Sequence, residues 1–198
     1  MECVSRKITE TERSGFDFLP VFLAGISLVG AVTGTFVFAR SYTDADVAGF
    51  VALQRELPVD FAEYFVRGIF EELPFFGGLL VLALLAPGWL FAPAVLFTGG
   101  LRIGTAVCCL YSGCGIWGAL YALAVIAAPA LCVQISRVIL CHGSMLLSMQ
   151  LFRSAFYTGS AGSVAGKLII RIPLCAAIEL FAAATAALAR TFMYRFIS

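Results

Sequence analysis

Five strongly polar side chains stand inside otherwise apolar stretches of this 198-residue chain: Arg102, Gln134, Arg137, His142 and Glu179. Placing an arginine in hydrocarbon costs at least about 2.5 kcal/mol, so each charge needs a partner, a wet cavity or an interface. Gln134 and Arg137, three apart, share one helical face, whereas Arg137 and His142, five apart, fall on adjacent faces. Glu179 is the expected counter-charge for Arg102 or Arg137, and a buried ion pair tying helices together is the arrangement these types predict. A proton or ion path needs more acids at depth. A metal centre needs more ligands than one histidine and no HExxH run supply. Ser136, Ser144 and Ser148 surround His142 and invite comparison with a serine nucleophile and its base, but serines in such helices mostly serve packing. The chain is therefore read as non-enzymatic, without cofactor or metal.

The elements that must hold these groups follow from hydropathy. Leu73 to Gln150 is almost unbroken hydrocarbon, interrupted by Pro87-Gly88, a glycine-rich run at Gly99–Gly104, the turn Ser112-Gly113-Cys114-Gly115 and Pro129. A crossing takes roughly 20 residues, so this stretch folds back through a bilayer several times. The hydrophobic fraction is 61%, mean hydropathy is +0.98 and charged residues are 13%, against about 25% charged in soluble domains. The chain is predicted to be an all-α, polytopic integral membrane protein forming one membrane domain over residues 1–198. A net charge of +1 leaves no basic field to gather nucleic acid. Seven cysteines without disulfide spacing read as small packing residues.

In chain order, residues 1–15 form a basic cytoplasmic tail and residues 18–39 a first span. That apolar run is longer than the about 7–15 residues of a signal peptide, so it is read as uncleaved. Gly30 and Gly34, four apart, let another helix approach closely. Residues 40–72 hold seven acids and three bases and read as two amphipathic helices outside the membrane. Thr43, Asp44 and Asp46 open the first, Pro58 ends it, and Asp60 opens the second. Phe61, Tyr64 and Phe65 lie on one side of the second helix, with Glu63, Arg67 and Glu71 on another. The segment is either a lid on the protein's own spans or a partner-docking surface offering Phe61, Glu63, Tyr64, Phe65, Glu71 and Glu72.

Residues 73–150 are expected to cross three times, with Trp89 at an interface. Arg102 lies between Gly100 and Gly104, which mark a close helix contact. Ile116 to Gln150 crosses once as a segment kinked or re-entrant at Pro129. Arg153, Lys167 and Arg171 occur in an acid-free stretch, which makes residues 151–167 a cytoplasmic loop. Residues 168–188 form the last span, with Arg190 and Arg195 on a short outer tail. About five spans result.

The order of parts resembles the stage II sporulation protein M family. The residues that carry the likeness are Phe97-Thr98-Gly99-Gly100-Leu101-Arg102-Ile103-Gly104 and the spacing through Gly115-Ile116-Trp117-Gly118 to Ala128-Pro129. It covers roughly Phe16 to Gln150, with departures at Arg102 and at Ala130. The resemblance implies a scaffold in the bacterial cell membrane, in the mother-cell membrane at the sporulation septum. Such a scaffold recruits the peptidoglycan-degrading stage II sporulation proteins D and P during engulfment in endospore formation. The competing class is a small transporter or permease subunit, with Pro129 and the charged groups along a substrate path. The sequence sets no oligomeric state.

Overall fold

The computed structural model describes the backbone of residues 2–57, 60–85, 87–156 and 162–194, with side chains from residue 18 onward except 155–164 and 167. Among the described residues six helices follow one another: α1 (Glu2–Ser41), α2 (Asp44–Glu56), α3 (Phe61–Leu84), α4 (Gly88–Tyr121), α5 (Ala128–Phe156) and α6 (Gly162–Met193), with a π-helical turn at Ala122–Ala127 between α4 and α5. No strand occurs among the described residues.

Local sequence explains where the short helix begins and ends. The Thr43 hydroxyl accepts the Asp46 N–H at 3.4 Å while the Asp46 carboxylate accepts the Thr43 N–H at 2.8 Å, a reciprocal cap that satisfies two orphan donors of α2. This hydrogen bonding holds the Asp46 carboxyl below its ordinary range. Leu57 leaves the helix in an extended conformation, φ −61° and ψ 145°, as a residue before proline does; Pro58 itself lies outside the described residues. Asp60 caps α3, accepting the Ala62 and Glu63 N–H groups at 3.2 and 3.3 Å.

Three expected boundaries differ. The second amphipathic helix and the following span form one rod, α3, which continues through Pro74. Proline removes one hydrogen bond, and burial of Leu79 and Ala83 beyond it holds the helix in register. Residues 151–167 are largely helix, divided between the end of α5 and the start of α6; residues 157–161 lie outside the described residues. The helix expected over 168–188 extends at both ends, to Gly162–Met193.

Gly115 has φ 60° and ψ −141°, a backbone region that favours glycine. The chain turns sharply there, bringing Gly118 against the Leu110 carbonyl. Beyond it, the Ala128 N–H donates to Leu123 O, the i→i+5 bond of a π turn placed just before Pro129.

The helices meet in three apolar clusters. One joins Leu23, Leu79, Leu96, Leu140 and Cys175; a second joins Val51, Leu110, Tyr121 and Val125; a third joins Ala83, Leu147 and Leu168. Leu96, early in α4, thus meets Leu79, late in α3, and Leu168, early in α6, meets Ala83 and Leu147, late in α3 and α5, which is antiparallel packing of these helices. The closest approach is α1 on α4. A Cβ on Gly30 or Gly34 would strike the Phe97 or Leu101 carbonyl, and one on Gly100 or Gly104 would strike the Ser27 or Ala31 carbonyl. The four glycines therefore form one reciprocal contact in which backbone lies on backbone.

Phe18, Phe22, Leu28, Phe36, Ile170 and Phe181 are among many large apolar side chains on the outside of the bundle. Phe18–Ser41, Gly88–Ser154 and Leu168–Met193 are long and apolar enough to cross a membrane. An apolar exterior over such helices fits a multi-pass membrane protein.

Candidate functional site

A cavity of about 470 Å³ opens where α2 covers the bundle, between α3, α4, α5 and α6. Its apolar walls include Phe50 and Leu53 from α2, Val125 and Ile126 from the π turn, and Ala183 and Ala186 from α6. Small residues on α6 leave the space, and the widened turn before Pro129 lines it. π turns are frequent where a helix serves a functional site.

The polar end is built mainly from α3 and α5. Arg137 is 3% exposed and pairs with Glu72, in a contact with side-chain exposures of 4% and 27%. Phe75, one turn after Glu72 on the same face, receives the Arg137 guanidinium 4.5 Å and the Arg102 guanidinium 5.2 Å from its ring centre, both within cation–π range. Gln134 is 7% exposed, and among the described residues neither its amide nitrogen nor its amide oxygen has a hydrogen-bond partner; Arg137 Nε is likewise unpartnered among them. Gly99 makes room for both groups, since a Cβ there would collide with the Arg137 guanidinium and the Gln134 amide.

The observed pairing differs from the expected one. Among the described residues Glu179 forms no ion pair with Arg102 or Arg137; it accepts a hydrogen bond from Ser136 at 3.2 Å. Glu72 takes Arg137 because it stands on the inward stripe of α3, Gly68, Glu72, Phe75, Leu79 and Ala83, whose spacing of three and four aligns them on one face. Glu72 therefore belongs to the interior and not to the outer acidic surface assigned to it by sequence. Glu179 and Arg102 both border the cavity.

The serines around His142 serve the backbone. Ser144 donates to Leu79 O at 3.0 Å, and Ser148 donates to Leu85 O at 2.6 Å and accepts the Trp89 N–H at 3.0 Å. Ser136 lies 3.3 Å from Cys175 O, and His142 meets Arg171 at 3.4 Å. These contacts stitch α5 to its neighbours and assemble no serine–histidine pair among the described residues.

Arg190 was expected on an outer tail and is instead fully buried, 0% exposed; Arg195 lies outside the described residues. Its guanidinium donates to Gln54 O at 2.8 Å, to Leu57 O at 2.6 Å and to the Tyr121 hydroxyl. The Tyr64 and Tyr194 rings lie 5.1 and 5.4 Å from it. The last carbonyls of a helix lack intrahelical donors, so Arg190 caps the C-terminus of α2 and ties it to α6. Spacing offers a signal for this position: Cys175, Glu179, Ala182, Ala186 and Arg190 follow one another at three or four on one face of α6.

Of the remaining docking residues, Phe61 and Glu63 are exposed, and Tyr64 and Phe65 are half-buried. The Phe61 and Phe65 rings stack at 5.9 Å, and Glu71 pairs with Arg67 at 3.0 Å. The cysteines at 108, 109, 114, 132, 141 and 175 are free thiols. Comparison of the chain with protein-family models, with curated proteins and with solved structures finds no match to any of them.

Proposed function

We propose that this chain crosses the membrane five times, through α1, α3, the two arms on either side of Gly115, and α6, and acts as a non-enzymatic scaffold for proteins outside the bilayer. The apolar stretch Gly88–Ser154 counts 67 residues; at 1.5 Å per residue a straight helix of that length is about 100 Å long, several times the bilayer core. The reversal at Gly115 supports dividing it into two crossings, the second broken by the π turn. The resemblance to the stage II sporulation protein M family supplies the job: holding the peptidoglycan-degrading proteins D and P at the septum from the mother-cell membrane.

The observation that carries this reading is the ledge at the start of α3. Phe61 is exposed and stacked on Phe65, Glu63 is exposed beside them, and the neighbouring α2 is fixed by Arg190. Exposed aromatics on a rigid support are what an interface uses as anchors, and an adjacent acid steers a basic partner. The test is co-purification of D and P with the tagged protein from sporulating cells, alongside membrane abundance. Phe61→Ser with Glu63→Lys is expected to leave abundance unchanged and to reduce capture, most at low salt. Unchanged capture at normal abundance ends the docking role.

A permease subunit is the second reading, favoured by the cavity beside the π turn and Pro129, since broken helices line midplane substrate sites. Solute uptake by the protein in sealed liposomes tests it; no uptake above empty liposomes removes it.

A further inference from the structure

We infer that the cavity beneath α2 binds a small zwitterion, its anionic group at Arg102 and the Gln134 amide nitrogen and its ammonium at the Gln134 amide oxygen and Glu179. The inference shares its cavity with the permease reading but requires binding alone. Uptake failing while binding persists removes only that reading.

Three observations lead to it. Gln134 is 7% exposed and borders the cavity with both amide atoms unpartnered among the described residues. Buried polar groups are nearly always hydrogen-bonded, and one left open in both its donor and its acceptor fits a ligand that offers both. The charges around the cavity divide in the same way. Arg67 is held by Glu71 and Arg137 by Glu72, so among the described residues neither Arg102 nor Glu179 forms a contact ion pair, and Glu179 feels the Arg137 charge only at longer range. One cation and one anion remain to be matched, and a ligand with a single charge would satisfy only one of them. Finally, the cavity of about 470 Å³ falls within the roughly 300–1,000 Å³ of small-molecule sites, and its Ala183, Ala186 and Val125 walls accept an apolar portion.

The shared chemistry is an anionic oxygen group joined to a primary ammonium, carried either by a free amino acid or by a phosphatidylethanolamine headgroup. The full-length protein in detergent is titrated with glycine, leucine and phenylalanine, and with leucinamide and N-acetyl-leucine as single-charge controls, while thermal unfolding is followed. A parallel arm compares lipid nanodiscs of phosphatidylethanolamine and phosphatidylcholine, whose trimethylated ammonium has no N–H to donate. A saturable rise in Tm with at least one free amino acid, absent with leucinamide and N-acetyl-leucine, assigns a soluble ligand. A rise confined to phosphatidylethanolamine assigns the headgroup.

Either rise is expected to vanish in Gln134→Leu and in Arg102→Gln. The first also raises the Tm of the unliganded protein, because an orphaned amide is removed. The second alters an exposed side chain and keeps the test valid where the first does not fold. Glu179→Gln is expected to let N-acetyl-leucine bind as well as leucine. No rise with any zwitterionic probe, or a rise that survives unchanged in Arg102→Gln, overturns the assignment.

Discussion

Arg137 is the residue whose environment most constrains the bundle. It is almost fully removed from solvent and its charge is answered by Glu72 on another helix. Removing one member of such a pair leaves an uncompensated buried charge and costs about 3–5 kcal/mol. Glu72→Gln is therefore expected to lower stability by that amount in a denaturant titration of the detergent-solubilised protein. Combining it with Arg137→Gln recovers part of the loss, and the non-additivity measures the pair. Glu179→Gln removes a charge that makes no contact ion pair and keeps an amide oxygen able to accept from Ser136, a change of about 1 kcal/mol. Equal losses for Glu72→Gln and Glu179→Gln would refute this ranking. An acid placed next to a long apolar stretch reads as its outer boundary, and for that reason Glu72 was assigned to the surface; its inward direction depends on its phase along α3.

Helix contacts here rest on two different devices. Between α1 and α4 it is the absence of side chains: Gly100→Ala would put a methyl group into the Ser27 carbonyl, and such overpacking costs about 1–3 kcal/mol. Gly25→Ala meets no atom within 4 Å and is expected to be neutral or to stabilise by up to about 1 kcal/mol through helix propensity. Denaturant titration of the two variants separates close contact from propensity; equal behaviour would remove the glycine contact. These glycines were legible in the sequence because spacing of four has a single geometric meaning on a helix.

The attachment of α2 rests on Arg190 instead. Arg190→Met leaves the carbonyls of Gln54 and Leu57 without their donor, and α2 is expected to lift. A thiol-reactive probe on Gln54→Cys, with the native cysteines replaced, should react at least several-fold faster in that variant. An unchanged rate would mean that apolar contacts through Val51 suffice. The opposite end of α2 depends on pH. Asp46 has its pKa lowered in the folded protein, so its contribution is present above the unfolded value near 3.8 and is lost as pH falls through the folded value. Fraying at the Thr43 end in acid, and its absence at neutral pH, can be followed by amide exchange of the first turn.

For the whole molecule, the five crossings proposed above require successive spans to run antiparallel. This arrangement expects Ser154, in the last turn of α5, to face the same side as the start of α1, and Glu63 to face the other. Single cysteines at these positions on a cysteine-free background should react with impermeant reagents from opposite sides of the membrane. Labelling of both from outside would eliminate the five-crossing arrangement.

The length of the apolar runs by itself determined that the described residues would be helical and long and apolar enough to cross a membrane, because a spanning run of hydrocarbon needs no partner to be recognised. Capping residues likewise fixed α2 and the start of α3, since Thr43, Asp46 and Asp60 act on the backbone within three residues of themselves. The direction each helix faces was left to the tertiary structure. A helix that is apolar toward lipid and toward protein alike has no polar stripe to mark its phase, so Phe181 outside and Leu140 inside look the same in sequence. Only contacts between helices distant in the chain chose Glu72 over Glu179 for Arg137, buried Arg190 under α2, and left the amide of Gln134 facing an open cavity.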